Sequence, residues 1–131
     1  MRCQPTLPLV ALALLGTAAP LAGAAPQSGI RGRVTSSPTC PVERVPPDPA
    51  CAPKGFAATV RIFRTTDQRT VRRLRTGADG RFSVQLRPGR YGAVARPAAG
   101  GPLPRCGGPV TAVVHAGKQT RVALGCDSGI R

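Results

Sequence analysis

The stretch "TGADGRFSVQLRPGRY", Thr76 to Tyr91, decides how this chain folds. Phe82, Val84 and Leu86 alternate with Arg81, Ser83 and Gln85, the period of a strand with one face buried and the other in water. Ala78-Asp79-Gly80 before it is a hairpin turn signal, with Gly80 free to take positive φ. Arg87-Pro88-Gly89 after it is a second turn, in which Pro88 presets φ and Gly89 supplies the left-handed position. Tyr91 opens the next strand. Asp79 therefore reads as a turn residue rather than a catalytic acid or calcium ligand. Calcium needs several more oxygen ligands, and the neighbours are Arg, Gly and Ala.

The same pattern continues on both sides. Runs over Gly29–Ser36, Ala57–Arg64, Thr70–Thr76, Tyr91–Pro97, Val110–Ala116 and Gln119–Gly125 bring the total to about seven strands. Ala58, Val60 and Ile62 share one face, whereas Val71 and Leu74 can share a face only through a bulge. Short strands with Gly, Pro and Asp punctuation predict an all-β fold, an antiparallel seven-stranded sandwich. The chain has three Phe, one Tyr and no Trp, so the core must be built from Val, Ile, Leu and Ala. Phe82 and Tyr91 take core positions, leaving Phe56 and Phe63 as the aromatics free to be exposed. Two Pro- and Gly-rich segments, Cys40–Cys51 and Arg96–Pro109, read as surface loops.

Residues 1–24 read as a signal peptide. Arg2 precedes the apolar run Leu7–Gly16, and Ala22 and Ala24 give an A-x-A cleavage pattern. The run is too short to span a bilayer. No cysteine stands directly after the cleavage region, so the bacterial lipoprotein pattern is missing, and no LPxTG-like sequence ends the chain; a free exported domain over residues 25–131 is expected. Cys3 leaves with the signal, and four cysteines remain, Cys40, Cys51, Cys106 and Cys126. An even count in a small exported domain points to two disulfides among three connectivities, and the absence of a C-x-x-C knuckle disfavours zinc. Cys40 and Cys51 flank a ten-residue Pro-rich loop. If Ala116-Gly117 is a two-residue hairpin turn, paired positions sum to 233, and Cys106 falls one residue from facing Cys126. The expected pairing is Cys40–Cys51 and Cys106–Cys126.

The chain carries 17 Arg and 2 Lys against 5 acids, a net charge of +14. Such charge steers polyanions toward a protein. The arginines are spread along the sequence, however, and heavy Ala, Gly and Pro usage matches a GC-rich coding bias. Basicity without a dedicated site is therefore the plainer reading.

At its densest point the chain resembles a known family. "DGRFSVQLRPGRY" is similar to the D-G-x-[FY]-x-[VIL]-x-L-x-P-G-x-Y signature of carboxypeptidase regulatory-like domains, and "GIRGRV" (Gly29–Val34) resembles their first strand. The resemblance implies a transthyretin-like (prealbumin-like) seven-stranded sandwich. A narrower likeness, in "SPTCPV", Cys51 and the ending "DSGIR", is to small uncharacterised exported bacterial proteins and implies no activity. Some transthyretin-like proteins hydrolyse 5-hydroxyisourate with histidines, an arginine and a Y-R-G-S ending; this chain has the single His115 and ends in "SGIR".

A Ser83, His115, Asp79 set has nothing in the sequence to bring it together. No catalytic residue, metal ligand or cofactor is expected. The reading is a non-enzymatic extracellular or envelope-associated module, structural or protein-binding, with no transmembrane anchor and no specific nucleic acid among its partners. The stapled loop, with Glu43, Arg44 and Asp48, is its candidate binding surface. The runner-up is a protein that binds an anionic envelope polymer through arginine-rich faces, with Arg72 and Arg73 contributing.

Overall fold

Alternating apolar residues put one row of side chains from each strand into a shared interior, and two sheets close around it. The computed structural model describes Gly16 and residues 27–131. Apart from Gly16, the expected signal peptide lies outside the described residues. In chain order the strands are β1 (Gly29–Ser37), β2 (Lys54–Gly55), β3 (Ala58–Arg64), β4 (Thr70–Arg75), β5 (Arg81–Gln85), β6 (Gly89–Pro97), β7 (Arg105–Cys106), β8 (Val110–Val114) and β9 (Gln119–Asp127). A five-stranded sheet runs β2-β1-β9-β7 with β5 also paired to β1; a four-stranded sheet runs β4-β3-β6-β8. The result is an all-β, sandwich-like arrangement. The seven expected strands are present, and β2 and β7 are two-residue additions, β7 inside the expected Arg96–Pro109 loop.

Several expectations need correction. The strands are not all antiparallel, because β1 and β9 run parallel in register from Gly29↔Gln119 to Ser37↔Asp127. Nor are the two turns read as hairpins, Ala78-Asp79-Gly80 and Ala116-Gly117, reversals within one sheet, and the Arg87-Pro88-Gly89 turn behaves as they do. Ala78-Asp79-Gly80, Arg87-Pro88-Gly89 and Ala116-Gly117 each carry the chain from one sheet to the other. A residue that favours reversal does so whichever sheet receives the next strand, and interior packing chooses the destination. The short turn that does stay within one sheet is Thr65–Arg69, between β3 and β4. Gly89 also departs from its expected left-handed role, since at φ 159° it is already pairing with Val114 as the first residue of β6.

The core sits between the sheets. Ile30, Val34, Phe82, Val84, Val122 and Leu124 come from the larger sheet and meet Val60, Ile62, Tyr91 and Val114 with several alanines from the smaller one. Val71 and Leu74 both pack against this core, and the expected bulge is present: Ile62 pairs with Arg72 and Phe63 with Thr70, leaving Val71 between them. Phe63 is not exposed. It is buried on the outer side of the smaller sheet, over Gly92, where a Cβ would lie 2.3 Å from its ring. Arg61 covers the same ring at 4.7 Å from its centroid. Phe56 is half-buried against the core.

Candidate functional site

Several turns of the sandwich are fastened by a polar side chain acting locally. Asp79 accepts the Arg81 amide at 3.0 Å, Gly80 adopts φ +77°, and the Gly80 carbonyl accepts the Val34 amide at 2.8 Å. At the other end of β5, Tyr91 Oη donates to the Arg87 carbonyl at 2.7 Å and ties down the Pro88 turn. Asp48, Asp67 and Asp127 repeat the Asp79 arrangement, each accepting the amide two residues on, from Ala50, Arg69 and Gly129. This short-range bond is what makes aspartate a turn former. The Arg69 amide, followed by the nearby Arg64 guanidinium, holds the Asp67 carboxyl below its ordinary value. The Asp127 carboxyl is held down to about 2, first by its hydrogen bond from Arg131 and then by the Gly129 amide. Four of the five acids are thus occupied in holding turns.

The fifth acid, Glu43, lies in the stapled loop, where Glu43 and Arg44 are exposed. Asp48 is half-buried and caps the 3-10 turn Pro49–Cys51 through the Ala50 amide at 2.9 Å. The loop presents apolar surface instead: Val45 is 98% and Val42 68% exposed. Its ends are joined by the Cys40–Cys51 disulfide, with Cα atoms 5.3 Å apart. Cys106 is bonded to Cys126, Cα atoms 4.0 Å apart. The route to that second pair differs from the expected one. β8 and β9 belong to different sheets, and Cys106 faces Cys126 directly because β7 pairs with β9.

Ser83, His115 and Asp79 are exposed and separate. Ser83 points outward opposite Arg31, Asp79 sits in the turn before β5, and His115 sits in the β8–β9 turn. Among the described residues no group of three His, Cys, Asp or Glu side chains gathers as metal ligands.

The arginines behave differently. Spread through the sequence, four of them converge in space. On the outer face of the larger sheet, Arg33 of β1 lies opposite Arg81 of β5, and Arg31 of β1 lies opposite Arg121 of β9. With Ser83 and Ala123 these four line one shallow groove. Sequence reasoning missed this site because its signal lies in register: Arg31, Arg81 and Arg121 belong to three strands whose order no local pattern reveals. Arg72 and Arg73, the pair singled out from sequence, are on β4 at the edge of the other sheet. Arg72 pairs with inward-facing Ile62 and Arg73 with outward-facing Arg61, so the two point to opposite sides.

No family model matches the chain, and a search of curated proteins finds no match. The two disulfides fit an oxidising, extracytoplasmic compartment. Among the described residues no helix is long and apolar enough to cross a membrane.

Proposed function

We propose that this chain is an exported, non-enzymatic module of the transthyretin-like kind that binds an anionic polymer of the cell envelope or extracellular space. The observation that carries the reading is the separation of charge. The aspartates are taken up by turns, while four arginines stand opposite one another on a sheet face where Asp79, itself holding a turn and 3.8 Å from Arg81 Nε, supplies the carboxylate paired with them. Like charges placed directly across a ladder destabilise it, and an anion laid over them turns that repulsion into attraction. The "DGRFSVQLRPGRY" signature and a two-sheet β arrangement support the transthyretin-like assignment. The A-x-A pattern and the disulfides support export. Titrating the exported protein into fluorescent long-chain polyphosphate and dextran sulfate at several salt concentrations tests it. The expected result is binding that weakens linearly on a log–log plot against salt; no binding to either polymer at low salt overturns the reading.

A second reading, a protein-binding module that uses the stapled loop, is favoured by one observation. Val42 and Val45 stand exposed on a loop closed by a disulfide, which lowers the ordering cost of a contact. Replacing both valines with serine separates the two readings, since polymer binding is then unchanged while capture of a secreted protein partner is lost.

A further inference from the structure

We propose that the outer face of the five-stranded sheet carries two arginine pincers, Arg33 with Arg81 and Arg31 with Arg121, each built to clasp one tetrahedral oxyanion of a phosphate- or sulfate-bearing polymer. This rests on the polyanion reading above and assigns it a place and a ligand chemistry. The antiparallel Arg33–Arg81 pair has Cβ atoms about 4.5–5.5 Å apart, and the parallel Arg31–Arg121 pair is separated by the strand spacing of about 4.8 Å, so two arginines in either position reach one anion from both sides. The Asp79 turn orients the first pair. Arg33 Nε donates to the Asp79 carbonyl at 3.0 Å, and Arg81 Nε lies 3.8 Å from Asp79 Oδ2. Both tethers use Nε, which leaves the terminal amino groups of each guanidinium to face a ligand.

The ligand class follows from shape. A planar carboxylate is filled by one bidentate arginine, whereas a tetrahedral phosphate or sulfate presents oxygens to a second fork. The two pincers are offset by one strand and by two residues along β1, which places their centres about 8 Å apart, from strand spacing of about 4.8 Å and a rise of about 3.3 Å per residue. Each row ends in a short side chain, Ser83 opposite Arg31 and Ala123 opposite Arg33. A chain can therefore cross the groove diagonally from one pincer to the next. The one aromatic that lines the groove, Phe82, is buried in the core at 7% exposure, so base stacking has no exposed platform and a single-stranded nucleic acid gains little beyond its phosphates.

The test compares the exported protein with Arg33→Gln/Arg81→Gln, Arg31→Gln/Arg121→Gln and the charge-matched Arg72→Gln/Arg73→Gln. Binding is read by anisotropy on polyphosphate, dextran sulfate and poly-glutamate. Each pincer variant is expected to bind the first two polymers about tenfold more weakly and to flatten the salt slope by about 1.4, while the control moves little. Thermal unfolding should show the Arg31→Gln/Arg121→Gln variant at least as stable as the parent, because a like-charge pair has been removed, while Arg33→Gln/Arg81→Gln also gives up the two tethers to the Asp79 turn. Preference for polyphosphate over dextran sulfate, or the reverse, identifies which oxyanion the site takes, phosphate or sulfate, and either supports the pincers. Pincer variants that bind like the parent, or poly-glutamate bound as tightly as the other two, overturn the inference while leaving the polyanion reading standing. A parent protein that binds none of the three removes that reading as well.

Discussion

Single side chains fix the ends of this fold, and the last five residues show how. Asp127 accepts the Gly129 amide at 2.9 Å and is bonded to the Arg131 guanidinium at 2.9 Å, while Ser128 donates its amide to the Ser37 carbonyl at 3.0 Å. The tail is thereby folded back beside the end of β1. Asp127 is the group through which pH reaches it, with Arg131 first and Arg105, opposite it on β7, among the charges around it. Its carboxyl is depressed from the ordinary 3.8 to about 2, so its contribution is fully present above the ordinary value and is lost as pH falls through the depressed one. Carboxyl NMR of the protein should give Asp127 a midpoint near 2. Arg131→Ala should move it part of the way back up, the Gly129 amide retaining the rest. A parent midpoint at the ordinary value would mean that the tail is not docked. Thr76 works at the same scale and is a residue whose role sequence reading did not see. Buried at the end of β4, its hydroxyl accepts the Ala58 amide at 3.0 Å and lies 3.2 Å from the Phe56 carbonyl. Nothing in the pattern "RTGADG" distinguishes that latch from an ordinary exposed threonine.

Between elements, turn chemistry was legible in the sequence and turn destination was not. Gly80 illustrates both halves. Asp-Gly predicts reversal with positive φ, and Gly80 has φ +77°. Why the next strand leaves for the other sheet depends on Val34, whose amide meets the Gly80 carbonyl 46 residues away in sequence. A Cβ on Gly80 would lie 2.0 Å from the Val34 carbonyl oxygen, a backbone atom. On Gly92 a Cβ would lie 2.3 Å from the far end of the Phe63 ring, a side chain that can shift. The two alanine substitutions should therefore differ. Gly80→Ala combines a strained φ with a backbone clash and is expected to cost about 3 kcal/mol or more, while Gly92→Ala is an overpacking change of about 1–3 kcal/mol. Urea unfolding of both variants gives the comparison, and a larger loss for Gly92→Ala would contradict the crossing geometry of the Asp79 turn. Phe63 also shows why alternation alone misplaced an aromatic. Its face of β3 is the outer one, as read, but a glycine on the neighbouring strand provides a seat that only the Phe63↔Gly92 register reveals.

At the scale of the whole molecule, the two disulfides do different work, and loop length alone does not separate them. Their sequence separations are 11 and 20 residues, and in the chain-entropy model each is worth about 3 kcal/mol. Burial makes the distinction. Cys126 is 4% exposed within the core cluster, and its partner Cys106 packs against the same cluster and anchors β7 to the edge of the larger sheet. Cys40 and Cys51 lie outside that cluster, at the mouth of a loop whose residues 41–47 are all exposed. Replacing Cys106 and Cys126 with alanine therefore removes buried sulfur as well as a cross-link, and the packing loss adds about 1–2 kcal/mol to the entropic one. Replacing Cys40 and Cys51 removes the cross-link alone and leaves the groove formed by β5, β1 and β9 intact. The expected order of unfolding free energy is parent, then the Cys40/Cys51 variant, then the Cys106/Cys126 variant, measured by denaturant titration under non-reducing conditions. Equal losses would show that the second bridge acts only as a tether. A larger loss for the Cys40/Cys51 pair would place the stapled loop inside the cooperative unit rather than on its surface.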